Sequence, residues 1–188
     1  MKQLLYPIFL LITTIGYSQY QYEASDVLPY GKAHPEAPSE VKDFEPMIGT
    51  CYCNSTTRKQ DGSWTTPEDI IWKWKYIMNG QAVQDETLKP DGSHSGSIRQ
   101  FIKDSSRWYV HWYSSKTPSA TFPVWNGKKE DDKIVLYRKQ KAPNGKDGFF
   151  RLTFYDMNKT GYKWIGEWVD TTETVVFPTW KITCTRTN

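Results

Sequence analysis

Histidine, cysteine and long apolar runs are scarce in this 188-residue chain, and each scarcity removes a class of function. The three histidines are His34, His94 and His111, and the three cysteines are Cys51, Cys53 and Cys184. A lone Cys-x-Cys with no spaced histidine partner is a poor zinc site, so no metal is expected. Gly-x-Ser-x-Gly, a phosphate-binding glycine loop and His-Glu-x-x-His are all missing. Their absence removes the familiar signatures of serine hydrolases, nucleotide binders and zinc peptidases. Carboxylates that are neighbours in sequence, such as Glu68 and Asp69, point to opposite faces of a strand and give no acid–base pair. Charge of one sign is lacking as well. The 24 Lys and Arg against 21 Asp and Glu leave +3, a weak and dispersed excess that excludes a dedicated nucleic-acid surface. No segment offers the ~20 apolar residues of a spanning helix, so no membrane span is expected.

The first residues carry an export pattern instead. Lys2 supplies a positive start, 4–15 is an apolar stretch broken by Pro7, and Gly16-Tyr17-Ser18 places small residues where a signal peptidase reads. We read 1–18 as a signal peptide, with Gln19 as the mature terminus and a secreted or periplasmic product. Residues 19–38, with Pro29, Pro35 and Pro38 and no periodicity, read as an extended arm. Ser39-Glu40-Val41-Lys42-Asp43-Phe44 predicts a helical turn capped by Ser39 and ended by Pro46.

What the chain has in plenty is aromatic side chains: 9 Trp, 12 Tyr and 8 Phe in a sequence whose mean hydropathy is only −0.68. Strands with one wet face and one aromatic face produce that mixture. From residue 47 onward, strand-like segments alternate with turn signals. They fall at 47–58, 70–78, 82–89, 97–103, 108–114, 121–125, 133–139, 149–156, 162–169 and 177–186. Asn79-Gly80, Asp91-Gly92, Asn126-Gly127 and Asn144-Gly145 are among the breaks, and the charged run Lys128-Lys129-Glu130-Asp131-Asp132-Lys133 reads as a solvated turn. Ile70, Trp72, Trp74, Tyr76 and Met78 share one face against Lys73 and Lys75. Tyr162, Trp164, Gly166 and Trp168 do so against Lys163 and Glu167, and Trp180, Ile182, Cys184 and Arg186 against Lys181, Thr183 and Thr185. Hairpin-linked strands with this period of two predict an all-β, antiparallel up-and-down barrel of roughly 8–10 strands over 39–188.

Gly49-Thr50-Cys51, after Phe44 and Met47-Ile48, stands where lipocalin-like proteins carry Gly-x-Trp, and Arg186 stands where that superfamily places an Arg over the Trp. The chain resembles a bacterial lipocalin-like domain family of unknown function. The resemblance rests on Phe44-Glu45-Pro46-Met47-Ile48-Gly49-Thr50, Arg107-Trp108-Tyr109-Val110-His111-Trp112, Tyr162-Lys163-Trp164-Ile165-Gly166-Glu167-Trp168 and Trp180-Lys181-Ile182-Thr183. It implies a fold and no reaction. Cys51 departs from the pattern, because it replaces the floor Trp. Haem-binding relatives of this barrel type would use a late histidine, and none follows His111, so no cofactor is expected.

In such a barrel the first and last strands are neighbours, and Cys51, Cys53 and Cys184 all face inward. A disulfide from Cys184 to Cys51 or Cys53 is therefore favoured over a metal site, and export allows it. Candidate ligand-binding residues are Trp72, Trp74, Tyr76, Trp112, Trp164, Trp168 and Arg186, with Gln100 and Thr153 as possible polar groups of the lumen. Aromatic walls suit a small apolar or aromatic molecule. Three readings follow. The first is a binding or carrier protein for such a ligand. The second is an enzyme in the same cavity, with His111 or a wall carboxylate as base. The third is a carbohydrate or surface module using exposed aromatics.

Overall fold

The computed structural model describes residues 20–186, so the expected signal peptide lies outside the described residues. Ten antiparallel strands follow one another: β1 (Gly49–Thr57), β2 (Glu68–Ile77), β3 (Ala82–Leu88), β4 (His94–Ile102), β5 (Arg107–Ser114), β6 (Val124–Glu130), β7 (Lys133–Lys139), β8 (Gly148–Asn158), β9 (Gly161–Asp170) and β10 (Val176–Thr185). Each pairs with its sequence neighbours, and β1 pairs with β10 to close the barrel. Closure removes the free sheet edges that an open meander would expose. The seam runs in a register that sets Cys53 opposite Cys184. Those two form the disulfide, and Cys51 is left as a buried free thiol.

One end of the barrel is plugged. A 3₁₀ segment, Ser39–Met47, lays Val41, Phe44 and Met47 inside, each with no exposed surface. Phe44 packs against the rings of Trp74, Trp108 and Phe154. The expectation of a Ser39 cap ended by Pro46 is corrected. Pro38 occupies the cap position, the Ser39 hydroxyl donates to Glu40, and Pro46 lies inside the segment. Short 3₁₀ turns tolerate Pro because few of their N–H groups are bonded within the segment. Arg186 donates to the carbonyls of Pro46 (2.6 Å) and Ile48 (2.8 Å), tying the last strand to the plug. The floor position expected for a Trp is held by Cys51, whose thiol is pushed up in pKa by burial against the opposing pull of Arg186 and Tyr162.

The segment 20–38 wraps this same end. Tyr30 accepts a backbone bond from Tyr76, and the amide of His34 donates to Gly80. Gly80 has φ +80°, and a Cβ there would stand 2.4 Å from the Lys32 carbonyl. Glycine is what lets the β2–β3 turn approach the arm this closely.

The structure also corrects the reading around β6. Asn126-Gly127 is not a break. Gly127 sits mid-strand between Trp108 and Leu136, where a Cβ would fall 1.9 Å from the Val135 carbonyl. The glycine serves a close approach of backbones inside the sheet, which a turn signal cannot be told from in sequence. The strand runs on through the charged residues to Glu130, and the hairpin turns at Asp131, with φ 53°.

Candidate ligand cavity

Alternation along each strand decides what the lumen contains. Toward the plug, Trp74, Trp108, Phe154 and Tyr162 fill it. Trp74 donates to the Tyr162 hydroxyl at 2.8 Å, and Trp108 donates to Asp43 at 3.1 Å. Burial raises the carboxyl of Asp43 above its ordinary pKa, opposed by the Trp108 bond and by Lys129. Burial likewise raises the Tyr162 phenol well above its ordinary value. This half is core.

The other end is ringed by the loops 58–67, 89–93, 115–123, 140–147 and 171–175. Beneath them lies a cavity of about 290 Å³, walled by Val110, Trp112, Trp125, Phe150, Trp164 and Trp180. A narrower extension of about 70 Å³ shares Ser97, Trp112, Leu152, Trp164 and Trp180 with it and descends past Trp72 to Asp85 and Arg99. Trp164 and Trp180 meet edge to face at 5.2 Å, and Trp72 stands 6.4 Å from Trp164. The walls are rigid aromatic faces that need few torsions fixed to present their area.

The cavity floor is ionic. Asp85 and Arg99 are both buried and form a salt bridge, and Trp72 Nε1 donates to the other Asp85 oxygen at 2.7 Å. The Arg99 guanidinium also lies over the Trp74 ring at 4.4 Å. Burial draws Arg99 down to about 9, which still leaves it protonated at neutral pH. Two charges taken from water are tolerated here because each neutralises the other and aromatic faces lie against the guanidinium, whose Nε is buried without an acceptor.

Higher up stands Arg138. It lies over the Trp125 ring at 4.4 Å and donates from Nη2 to the Gln140 side chain at 2.6 Å. Its Nε is buried without an acceptor, and so is the indole N–H of Trp125. Trp180 donates to Ser55 at 2.8 Å and Trp168 to the Gln140 carbonyl at 3.0 Å.

Of the residues singled out in the sequence, Trp72, Trp112 and Trp164 line the cavity and its extension. Trp74 and Tyr76 lie buried toward the plug, Arg186 binds the plug, and Trp168 packs against Gly148 at the rim. Gln100 and Thr153 face outward, because Arg99 and Leu152 take the inward places beside them. His111 is on the outer face, between the inward Val110 and Trp112. Trp125, Phe150, Trp180, Asp85, Arg99 and Arg138 complete the site without having been singled out for it.

No protein-family model matches the chain, and a search of curated proteins finds no significant relative. Among solved structures, the chain is similar to Rv2717c of M. tuberculosis, with a TM-score of 0.51 and 9% identity, over 81% of this chain and 100% of that one. At that identity the likeness speaks for the barrel fold alone. A protein of unknown function from the DUF3598 family of Nostoc punctiforme aligns over 80% of this chain and 100% of its own, at 6% identity and a TM-score of 0.26, too low to carry an argument.

Proposed function

We propose that this protein is an exported binding or carrier protein of lipocalin-like type, which holds one small apolar or aromatic molecule in the open end of its barrel. The observation that carries the reading is the cavity of about 290 Å³ with aromatic walls and a few inward polar groups. Ligand sites commonly measure roughly 300–1,000 Å³ and have this lining, so the space suits a compact ring system. The carbohydrate reading keeps exposed Tyr52, Phe122 and Phe177 but loses its tryptophans, none of the nine being exposed. The enzyme reading loses ground because the lumen's buried carboxylate, Asp85, is already committed to Arg99 and Trp72.

Export is supported by the disulfide, and no helix among the described residues is long and apolar enough to cross a membrane. Mass spectrometry of protein recovered from outside the producing cytoplasm is expected to find Gln19 first, and an intact Met1 would oppose the export reading.

The binding test uses a neutral probe, 1-naphthaleneethanol, followed by calorimetry. One site per chain is expected. Ser97→Phe, which places a ring where the cavity and its extension meet, is expected to abolish binding while the barrel still unfolds cooperatively. No heat with the native protein, either from this alcohol or from 1-naphthaleneacetate of the same ring system, would count against a carrier of small aromatics.

A further inference from the structure

We propose that the ligand of this cavity is an organic anion, a compact aromatic or apolar carboxylate, whose charged group pairs with Arg138; the inference rests on the binding reading above and adds the ligand's charge. Counting charges along the lining leads there. Asp85 and Arg99 neutralise each other at the floor. Lys89, at the rim of the extension, pairs with Glu68 at 3.5 Å. Among the described residues, Arg138 has no carboxylate partner within 4.0 Å. With Lys89 counted against Glu68, which lies outside the lining, the cavity holds one unpaired positive charge, on a half-buried guanidinium.

The geometry around that charge is unsatisfied in the same direction. Of the Arg138 nitrogens only Nη2 donates to a protein acceptor, and that acceptor is a neutral amide. Nη1 is not enclosed and donates to no residue, which leaves it the nitrogen open to a ligand, while Nε and the neighbouring Trp125 N–H are buried without an acceptor. The guanidinium carbon lies 4.4 Å over the centre of the Trp125 ring, which supplies no anion. Burial pulls the Arg138 pKa down, and no facing carboxylate offsets it. An unpaired charge held in an apolar wall is costly unless something compensates it. Arginine is suited to carboxylates, since its planar fork makes charge-assisted bonds roughly twice as strong as neutral ones. The body of the ligand would lie between Trp112, Phe150 and Trp164, with its anionic end toward β7.

Calorimetry with a matched pair of probes tests this. 1-Naphthaleneacetate and 1-naphthaleneethanol share a ring system and differ in charge. The native protein is expected to bind the acetate at least ~10-fold more tightly than the alcohol, the scale of one charge-assisted hydrogen bond. In Arg138→Gln the ratio is expected to fall to near one, and in Arg138→Lys to an intermediate value. A ratio near one in the native protein overturns the anion inference and leaves the binding reading standing, whether or not either variant folds. Binding of neither probe to the native protein overturns both. A native preference that survives in Arg138→Gln overturns the assignment to Arg138.

Discussion

The plugged and the open ends of this barrel are both lined by tryptophan, yet they use it differently. At the plugged end the indoles of Trp74 and Trp108 have acceptors in Tyr162 and Asp43, and Phe44 from outside the sheet fills the space between the rings. At the open end the strands carry Trp112, Trp125, Trp164 and Trp180, but among the described residues no element crosses over them, and a cavity of about 290 Å³ remains. The indole of Trp125 and the guanidinium of Arg138 keep donors unused there. The rings are of one kind; what differs is whether the chain supplies their partners. In the plugged half it does so for both indoles, with the Tyr76 hydroxyl left buried without a partner, and the rings are core. In the open half a cavity remains, and on the proposed reading a ligand takes that place.

That contrast predicts a graded set of effects. Phe44→Ala is expected to cost about 3–5 kcal/mol of unfolding free energy, read by denaturant titration, because it opens a void among the rings of Trp74, Trp108 and Phe154. The same variant is expected to bind a naphthalene probe with near-native affinity wherever it is still folded. A large loss of affinity would break the division into a structural and a binding end. Replacing Cys53 and Cys184 together by Ser is expected to cost ~2–5 kcal/mol, toward the upper end because the closed loop is long; the two residues are 131 apart in sequence. A drop below 1 kcal/mol would mean that the strand pairing holds the seam without the bond.

The smallest effect belongs to the open rim. Asp170 accepts hydrogen bonds from the Val175 amide, Lys146 and Thr172, which hold its carboxyl down at about 2. A carboxyl lowered on folding stabilises above its unfolded value, ~3.9, and that stabilisation is lost as pH falls toward the folded value. Asp170→Asn is therefore expected to flatten the acid limb of the melting curve between about pH 4 and 2. An unchanged limb would mean that the rim loop 171–175 is not held by this carboxylate.

The sequence made the barrel legible because charge and aromatic residues alternate so regularly in β2, β9 and β10. Ten strand-like segments could be counted, and β1–β10 adjacency followed from an up-and-down order. The disulfide could be narrowed to two choices, since Cys51 and Cys53 share a face; the seam register that selects Cys53 is a tertiary fact. Trp125 was lost because Asn126-Gly127 imitates a hairpin, so the inward parity of β6 was never assigned. Arg138 was legible in principle, since Ile134, Leu136 and Arg138 alternate, but a charged residue at an inward position contradicts the pattern that identifies inward positions. The same conflict hid Arg99 behind Gln100, although Phe101 shares its face. Places where a strand breaks its own hydrophobic rule are where this lumen became polar.

The division of the barrel is tested most directly by the indole N–H signals in proton–nitrogen correlation spectra of the native protein, one for each of the nine tryptophans, titrated with 1-naphthaleneacetate. The account predicts saturable shifts for Trp112, Trp125, Trp164 and Trp180, with the largest at Trp125, and still signals for Trp74 and Trp108. Shifts concentrated at Trp74 and Trp108, or at none of the nine, would contradict it.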